Sequence, residues 1–135
     1  KESEKLHIMA EDLTGRGRLS FLGEIEDVDR VLRASDAAVL CSHPVVETFP
    51  LTVLEAMASG LPVVSTSVGS VPEMLDDGKE GVLIAPGDAS ALAQALRGLE
   101  SDRDRSEALG KAARERAVRR YSEMVMIEGY AEVIE

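Results

Sequence analysis

Between Arg18 and Leu99 the chain alternates strand-like and helix-like patterns with short connections, and this constrains its fold more than any other feature. Arg18-Leu-Ser-Phe-Leu22 alternates as a strand does, and Ala37–Cys41 is a continuous apolar run of the kind buried on both faces of a parallel sheet. Pro62–Thr66 and Gly81–Ala85 supply two more strands. Helical spacing separates them. Val28, Val31 and Leu32 mark a short helix, and Leu54, Met57, Ala58 and Leu61 share one face of a helix that starts after Pro50 and ends at Gly60. Val71–Asp76 follows the Gly69-Ser70 turn, and Leu92, Leu96 and Leu99 line a helix for which Asp88 is the N-cap. Such alternation demands right-handed crossovers, so the fold class is α/β: a Rossmann-like parallel sheet with flanking helices. A further helix is predicted over residues 3–13, and two more near 103–118 and 123–135, the last with Ile127, Tyr130, Ala131 and Ile134 in a stripe. All 135 residues are assigned to one domain.

In sheets of this type ligands sit beyond the carboxyl ends of the strands. The 42–51 segment and the 67–73 loop both leave such ends, so they open onto one edge. On that edge Glu47-Thr-Phe-Pro-Leu-Thr-Val-Leu-Glu55 carries two carboxylates eight positions apart, one before the helix and one a turn inside it. Carboxylates so placed can grip two parts of a hydroxyl-rich ligand, while the first free N–H groups of the helix face an anion. That chemistry suits a nucleotide-sugar.

Composition removes several other classes. The formal charge of −10 argues against nucleic acid or an anionic membrane as a bulk partner. With no Trp and few aromatics, the chain offers no stacking platform for single strands. Its apolar runs of about five residues are far short of the ~20 that span a bilayer. The single Cys41 excludes an internal disulfide framework and fits a reducing compartment, which points to a cytoplasmic protein whose parent can sit peripherally on the cytoplasmic membrane face. Lys1-Glu-Ser-Glu-Lys5 has neither an initiator Met nor a secretory pattern, so the chain is expected to be a piece of a longer one.

Several segments carry a family resemblance: Ser-Asp-Ala-Ala-Val-Leu-Cys-Ser (35–42), Glu47 through Val64, Val-Gly-Ser-Val-Pro-Glu (68–73), Gly81 through Ala93, and Arg-Arg-Tyr-Ser (119–122). Together they resemble the C-terminal, donor-binding half of the retaining two-Rossmann-domain glycosyltransferases of family 4. The resemblance implies a catalytic role for Glu47, beside the transferred sugar and its anomeric carbon. It gives Glu55 the ribose hydroxyls, and it gives the backbone of Phe49, Pro50, Leu51 and Thr52 the sugar and diphosphate. It also implies a UDP-, GDP- or ADP-sugar as substrate, no cofactor and no metal, and an acceptor-binding N-terminal domain as partner.

Three departures from the family pattern matter. Pro50 stands where many relatives have Gly, which leaves Phe49, Leu51 and Thr52 as the N–H donors. Ser70 replaces the second Gly of a Gly-Gly turn, where a positive φ would be strained. Nothing before residue 18 resembles the family's two opening strand–helix units with their phosphate-binding glycine turn and Arg/Lys pair. Such a piece is expected to bind its donor weakly and to catalyse nothing alone. Its 18–22 strand would pair directly with 37–41, or the open edge would take a partner's strand, by exchange or edge-pairing in a dimer. Elsewhere the plainer readings prevail. His43 is a loop residue, Cys41 a small core residue, Asp76-Asp77-Gly78 a turn, and the mixed charges between 100 and 120 a solvated helix face. Tyr130 and Met124–Ile127 read as packing residues, against the absent N-terminal domain. The competing functions are an isomerase of the sugar-nucleotide 2-epimerase type and a non-catalytic nucleotide-binding module.

Overall fold

The computed structural model of the chain describes residues 2–43 and 48–134. Its elements in order are α1 (Glu2–Met9), α2 (Glu11–Gly15), α3 (Val28–Arg33), β1 (Ala38–Leu40), α4 (Leu51–Ala58), β2 (Val63–Thr66), α5 (Val71–Met74), β3 (Gly81–Ile84), α6 (Ala89–Ser101), α7 (Arg103–Tyr121) and α8 (Glu123–Ile134). The strands form one parallel sheet in the order β1-β2-β3, with Ala38 opposite Val63 and Val63 opposite Gly81. The α/β expectation therefore holds, with helices on both faces of the sheet.

Strand alternation divides the core into two layers. Ala38, Leu40, Val63 and Leu83 meet Val53, Ala56 and Met57 of α4, Val71 and Met74 of α5, and Ala113 and Ala117 of α7. On the opposite face Val64, Val82 and Ile84 meet Leu92, Ala95 and Leu99 of α6, together with Leu109 of α7. Met57 and Met74 are fully buried, and each such side chain contributes about 1.5–3 kcal/mol. This packing, more than propensity, fixes where the short α4 and α5 lie.

Gly60 ends α4 in the left-handed region at φ +78, donating to Met57 O at 2.9 Å while Leu61 N–H donates to Ala56 O at 3.0 Å. That pair of bonds is a Schellman cap, which needs a residue without a Cβ at this position. The chain then turns straight into β2. Asp27, Asp88 and Asp102 cap α3, α6 and α7 by accepting from Arg30, Ala91 and Arg105 N–H respectively.

Several elements of the fold depart from the sequence expectations. Residues 18–22 form no strand and do not pair with β1. An alternating segment becomes a strand only against a neighbour. Here Phe21 instead stacks on His7 of α1, ring centroids 3.8 Å apart. The helix expected over 3–13 is broken at Ala10, where the Thr14 hydroxyl donates to both Ala10 O and Glu11 O, a back-bonding that bends helices. Ala37–Cys41 is not buried on both faces. Val39 is 46% exposed because β1 is the sheet edge and α6 covers only its neighbours. Met124, Met126, Ile127 and Tyr130 of α8 find no cover among the described residues, and the packing expected of them was against an N-terminal domain.

Candidate functional site

The loop after β1 is tied to the end of β2 by side-chain bonds. Ser42 N–H donates to Thr66 Oγ1 at 3.0 Å, the Thr66 hydroxyl lies 3.1 Å from Ser42 O, and Ser65 Oγ donates to Leu40 O at 3.1 Å. Ser65 and Thr66 are buried with these bonds made, and Ser42 is half-buried, where they close the carboxyl edge of the sheet. The described ends of the 42–51 segment, Ser42–His43 and Thr48–Leu51, share that edge with the 67–73 loop, as the alternation required. Ser70 N–H donates to Thr48 O at 3.2 Å, and the Ser70 hydroxyl donates to the same oxygen.

Pro50 is the N-cap of α4, buried and extended at φ −74, ψ 111, with no side-chain acceptor to offer. Its carbonyl accepts from Val53 N–H at 3.1 Å and Leu54 N–H at 3.4 Å. Helix geometry gives Leu51 and Thr52 N–H no acceptor within α4. Both side chains are exposed, Leu51 by 64%. Unlike the Asp-capped α3, α6 and α7, α4 thus presents free N–H groups and the positive end of its dipole at the ligand edge. Phe49 lies beside them, edge-on to Tyr121 with ring centroids 5.8 Å apart.

Glu55 is exposed on α4 and lines a cleft of about 480 Å³ between α3, α4 and α7, with Leu32, Arg33, Ser59 and Arg114. Glu47 lies outside the described residues. The structure therefore brings Phe49, Pro50, Leu51, Thr52 and Glu55 onto the first two turns of one helix and the residues leading into it. A smaller apolar cleft of about 180 Å³ lies at the strand ends between Cys41, Thr66, Ile84 and the start of α6. Another, of about 420 Å³, is lined by Asp36, Ala37 and Pro62 at the amino ends of the strands, away from the α4 N-terminus.

The strain expected at Ser70 is absent. Ser70 sits at φ −85, and Gly69 takes the left-handed conformation at φ +55, so one glycine suffices for the turn. Asp76-Asp77-Gly78 is a turn, with Gly78 at φ +75, Asp77 accepting from Leu83 N–H and Asp76 N–H donating to Glu80. His43 lies in a loop. Cys41, expected in the core, is a free and exposed thiol, since β1 ends at Leu40 and no described residue covers it.

A buried ion cluster behind the site was missed by the solvated-face reading of residues 100–120. Arg116 is only 8% exposed, and its Nη1 lies 3.1 Å from Asp76 and 3.4 Å from Glu80. Nη2 donates to Glu73 O at 2.8 Å, and Nε has no partner among the described residues. Burial pulls the Arg116 pKa down, but Glu80 and Asp76 outweigh it and the net direction is upward, so the charge is locked in. The signal was present in spacing: Leu109, Ala113, Arg116 and Ala117 form one helical stripe, and three of its four members are apolar.

Residues 1–116 match the family described as glycosyl transferases group 1. The chain belongs to that family. A similar member is the N-acetyl-alpha-D-glucosaminyl L-malate synthase of Bacillus anthracis, 34% identical over 84% of this chain and 29% of its own length. A lipopolysaccharide core biosynthesis glycosyltransferase of Rhizobium meliloti is 30% identical over 99% of this chain and 39% of its own. Among solved structures, HepE of Anabaena in complex with UDP superimposes with a TM-score of 0.90 at 26% identity, covering 98% of this chain and 36% of that one. The C-terminal domain of a group 1 glycosyl transferase of Francisella tularensis matches 89% of this chain at 25% identity, TM-score 0.74, covering 64% of that domain. The chain thus spans roughly a third of the length of these curated relatives.

Proposed function

We propose that this chain is the donor-binding portion of a retaining glycosyltransferase that takes its sugar from a nucleoside-diphosphate-sugar. The observation that carries the reading is the uncapped N-terminus of α4, which opens on the carboxyl edge of the parallel sheet with Glu55 one turn further along. Family membership and the likeness to a UDP complex support it. In this reading Leu51 and Thr52 N–H, with Phe49 N–H ahead of them, meet the diphosphate and sugar, and Glu55 accepts from the ribose hydroxyls. Glu47 lies beside the transferred sugar as the catalytic carboxylate.

During transfer the bond from the anomeric carbon to the phosphate oxygen breaks, and negative charge grows on the leaving diphosphate. Amide dipoles already aimed at that position stabilise it without reorganising. The anomeric carbon becomes oxocarbenium-like, and a carboxylate on its flank offsets the positive charge. The acceptor hydroxyl bonds to the carbon on the face the phosphate leaves, and its proton passes to the departing phosphate oxygen. The acceptor is bound by a second, N-terminal domain of the parent protein, in the cytoplasm or on the cytoplasmic face of a membrane. No helix among the described residues is long and apolar enough to cross a membrane.

Calorimetry with UDP-, GDP- and ADP-sugars tests the reading. One nucleotide class should bind, and Glu55→Ala should weaken it about tenfold, as expected for loss of a charge-assisted hydrogen bond. Absence of binding for all three classes would overturn the proposal.

A further inference from the structure

α5 is a single turn of helix, too short to hold its own position. It is held from outside at both ends. At its start Ser70 donates twice to Thr48 O, through its N–H and its hydroxyl. At its end Glu73 O, a carbonyl with no acceptor role left inside so short a helix, receives Arg116 Nη2 at 2.8 Å and the Tyr121 hydroxyl at 3.2 Å. Tyr121 closes the circuit, because its ring also meets Phe49, the residue after Thr48. The path from Tyr121 through Glu73, α5, Ser70, Thr48 and Phe49 returns to Tyr121. Only Pro50 separates this ring from the free N–H groups of α4.

We infer that Tyr121, with α5 as its strut, is a positioning residue that sets the Thr48–Phe49 loop, and so the phosphate-facing N–H groups at the start of α4, for the donor. This rests on the donor-binding reading above. Arg116 anchors the same carbonyl from the buried ion cluster, so the far end of the strut is fixed to the body of α7. Tyr121 is only partly buried and its ring packs against the α4–α5–α7 core layer, so Tyr121→Phe, which keeps the ring and removes only the hydroxyl, leaves that layer intact.

The geometry separates positioning from general stability in a measurable way. Glu55 lies a turn beyond the ring and is not part of it, so a ribose contact survives when the loop shifts. In NMR titrations, Tyr121→Phe and Ser70→Ala should each weaken UDP by about five- to tenfold, the range for losing one useful hydrogen bond geometry, while uridine binds as before. GDP with guanosine and ADP with adenosine serve as parallel pairs. Because both variants cut one strut, the double variant should bind UDP no worse than about the weaker single variant, although the two side chains do not touch. Equal losses for nucleoside and nucleoside diphosphate, multiplying effects in the double variant, or unchanged diphosphate affinity would each overturn the inference. If the unmodified chain binds none of these nucleotides, the donor-binding reading fails, and amide exchange decides the positioning claim alone. Faster exchange at Ser70, Val53 and Leu54, whose N–H groups are bonded to Thr48 O and Pro50 O, in both variants would sustain it, and unchanged exchange would refute it.

Discussion

Gly110 and Gly98 allow one substitution to be tested with opposite expected signs. Both lie in helices, α7 and α6, and neither has positive φ. Helix propensity alone favours Gly→Ala by about 0.8–1 kcal/mol at either site. At Gly98 a new Cβ meets nothing within 4 Å, so Gly98→Ala should stabilise by about 0.5–1 kcal/mol. At Gly110 a Cβ would stand 2.1 Å from Gly60 O and 3.2 Å from Pro62 N. A carbonyl oxygen inside a Schellman-capped turn cannot rotate aside as a side chain can, so α7 must retreat by about 1 Å. That movement loosens Leu109, Ala113 and Ala117, which fill both core layers. Overpacking costs of about 3 kcal/mol, at the upper end because backbone is struck, less about 1 for propensity, leave a net loss near 2 kcal/mol. At about 4 °C per kcal/mol for a chain of this size, thermal unfolding should fall by roughly 8 °C for Gly110→Ala and rise by roughly 2–4 °C for Gly98→Ala. If Gly110→Ala unfolds at or above the unmodified temperature, the close approach of α7 to the α4–β2 turn is wrong.

Further outcomes follow from the buried cluster and the caps. Arg116→Met strands Glu80, itself only 7% exposed, and should cost about 3 kcal/mol in urea unfolding, while adding Glu80→Leu should return part of that loss. Equal midpoints for the single and double variants would show that the pair is not coupled. Asp102→Ala removes the acceptor for Arg105 N–H at the start of α7 and should cost about 1 kcal/mol, whereas Asp102→Asn should cost little. An Asn variant as unstable as the Ala variant would show that capping is not the reason for the loss.

The sequence made the helices and the three central strands legible because their signals are local. Leu54, Met57 and Leu61 announce a buried face, although Ala58, assigned to it as well, is exposed and Val53 and Ala56 fill it instead; Gly60 announces its end and Asp88 the next beginning, each within a few residues of the feature it produces. The free N–H groups of α4 were equally legible, since Pro50 cannot supply a capping side chain. Arg116 was not, because its charge was given more weight than its place in the Leu109–Ala113–Ala117 stripe. A buried cation becomes tolerable only when distant carboxylates reach it, and Asp76 and Glu80 lie 40 and 36 positions away in the chain. The positioning role of Tyr121 is hidden for the same reason: its partners Glu73 and Phe49 belong to other elements.

Arg18–Leu22 sharpens the distinction between a local pattern and a non-local requirement. Its alternation is as good as that of many strands, yet no backbone ladder reaches it, and Leu22 stays 60% exposed. A strand pays its ordering entropy only when both its N–H row and its apolar face find partners. Neither is offered among the described residues, where β1 pairs only with β2 and Phe21 stacks on His7. Val39 is half exposed on β1. For Val39 the cause is the edge position of β1, whose second side no described residue pairs. Pairing of any strand there should therefore bury Val39 and slow amide exchange along Ala38–Leu40 together, since the two depend on the same neighbour.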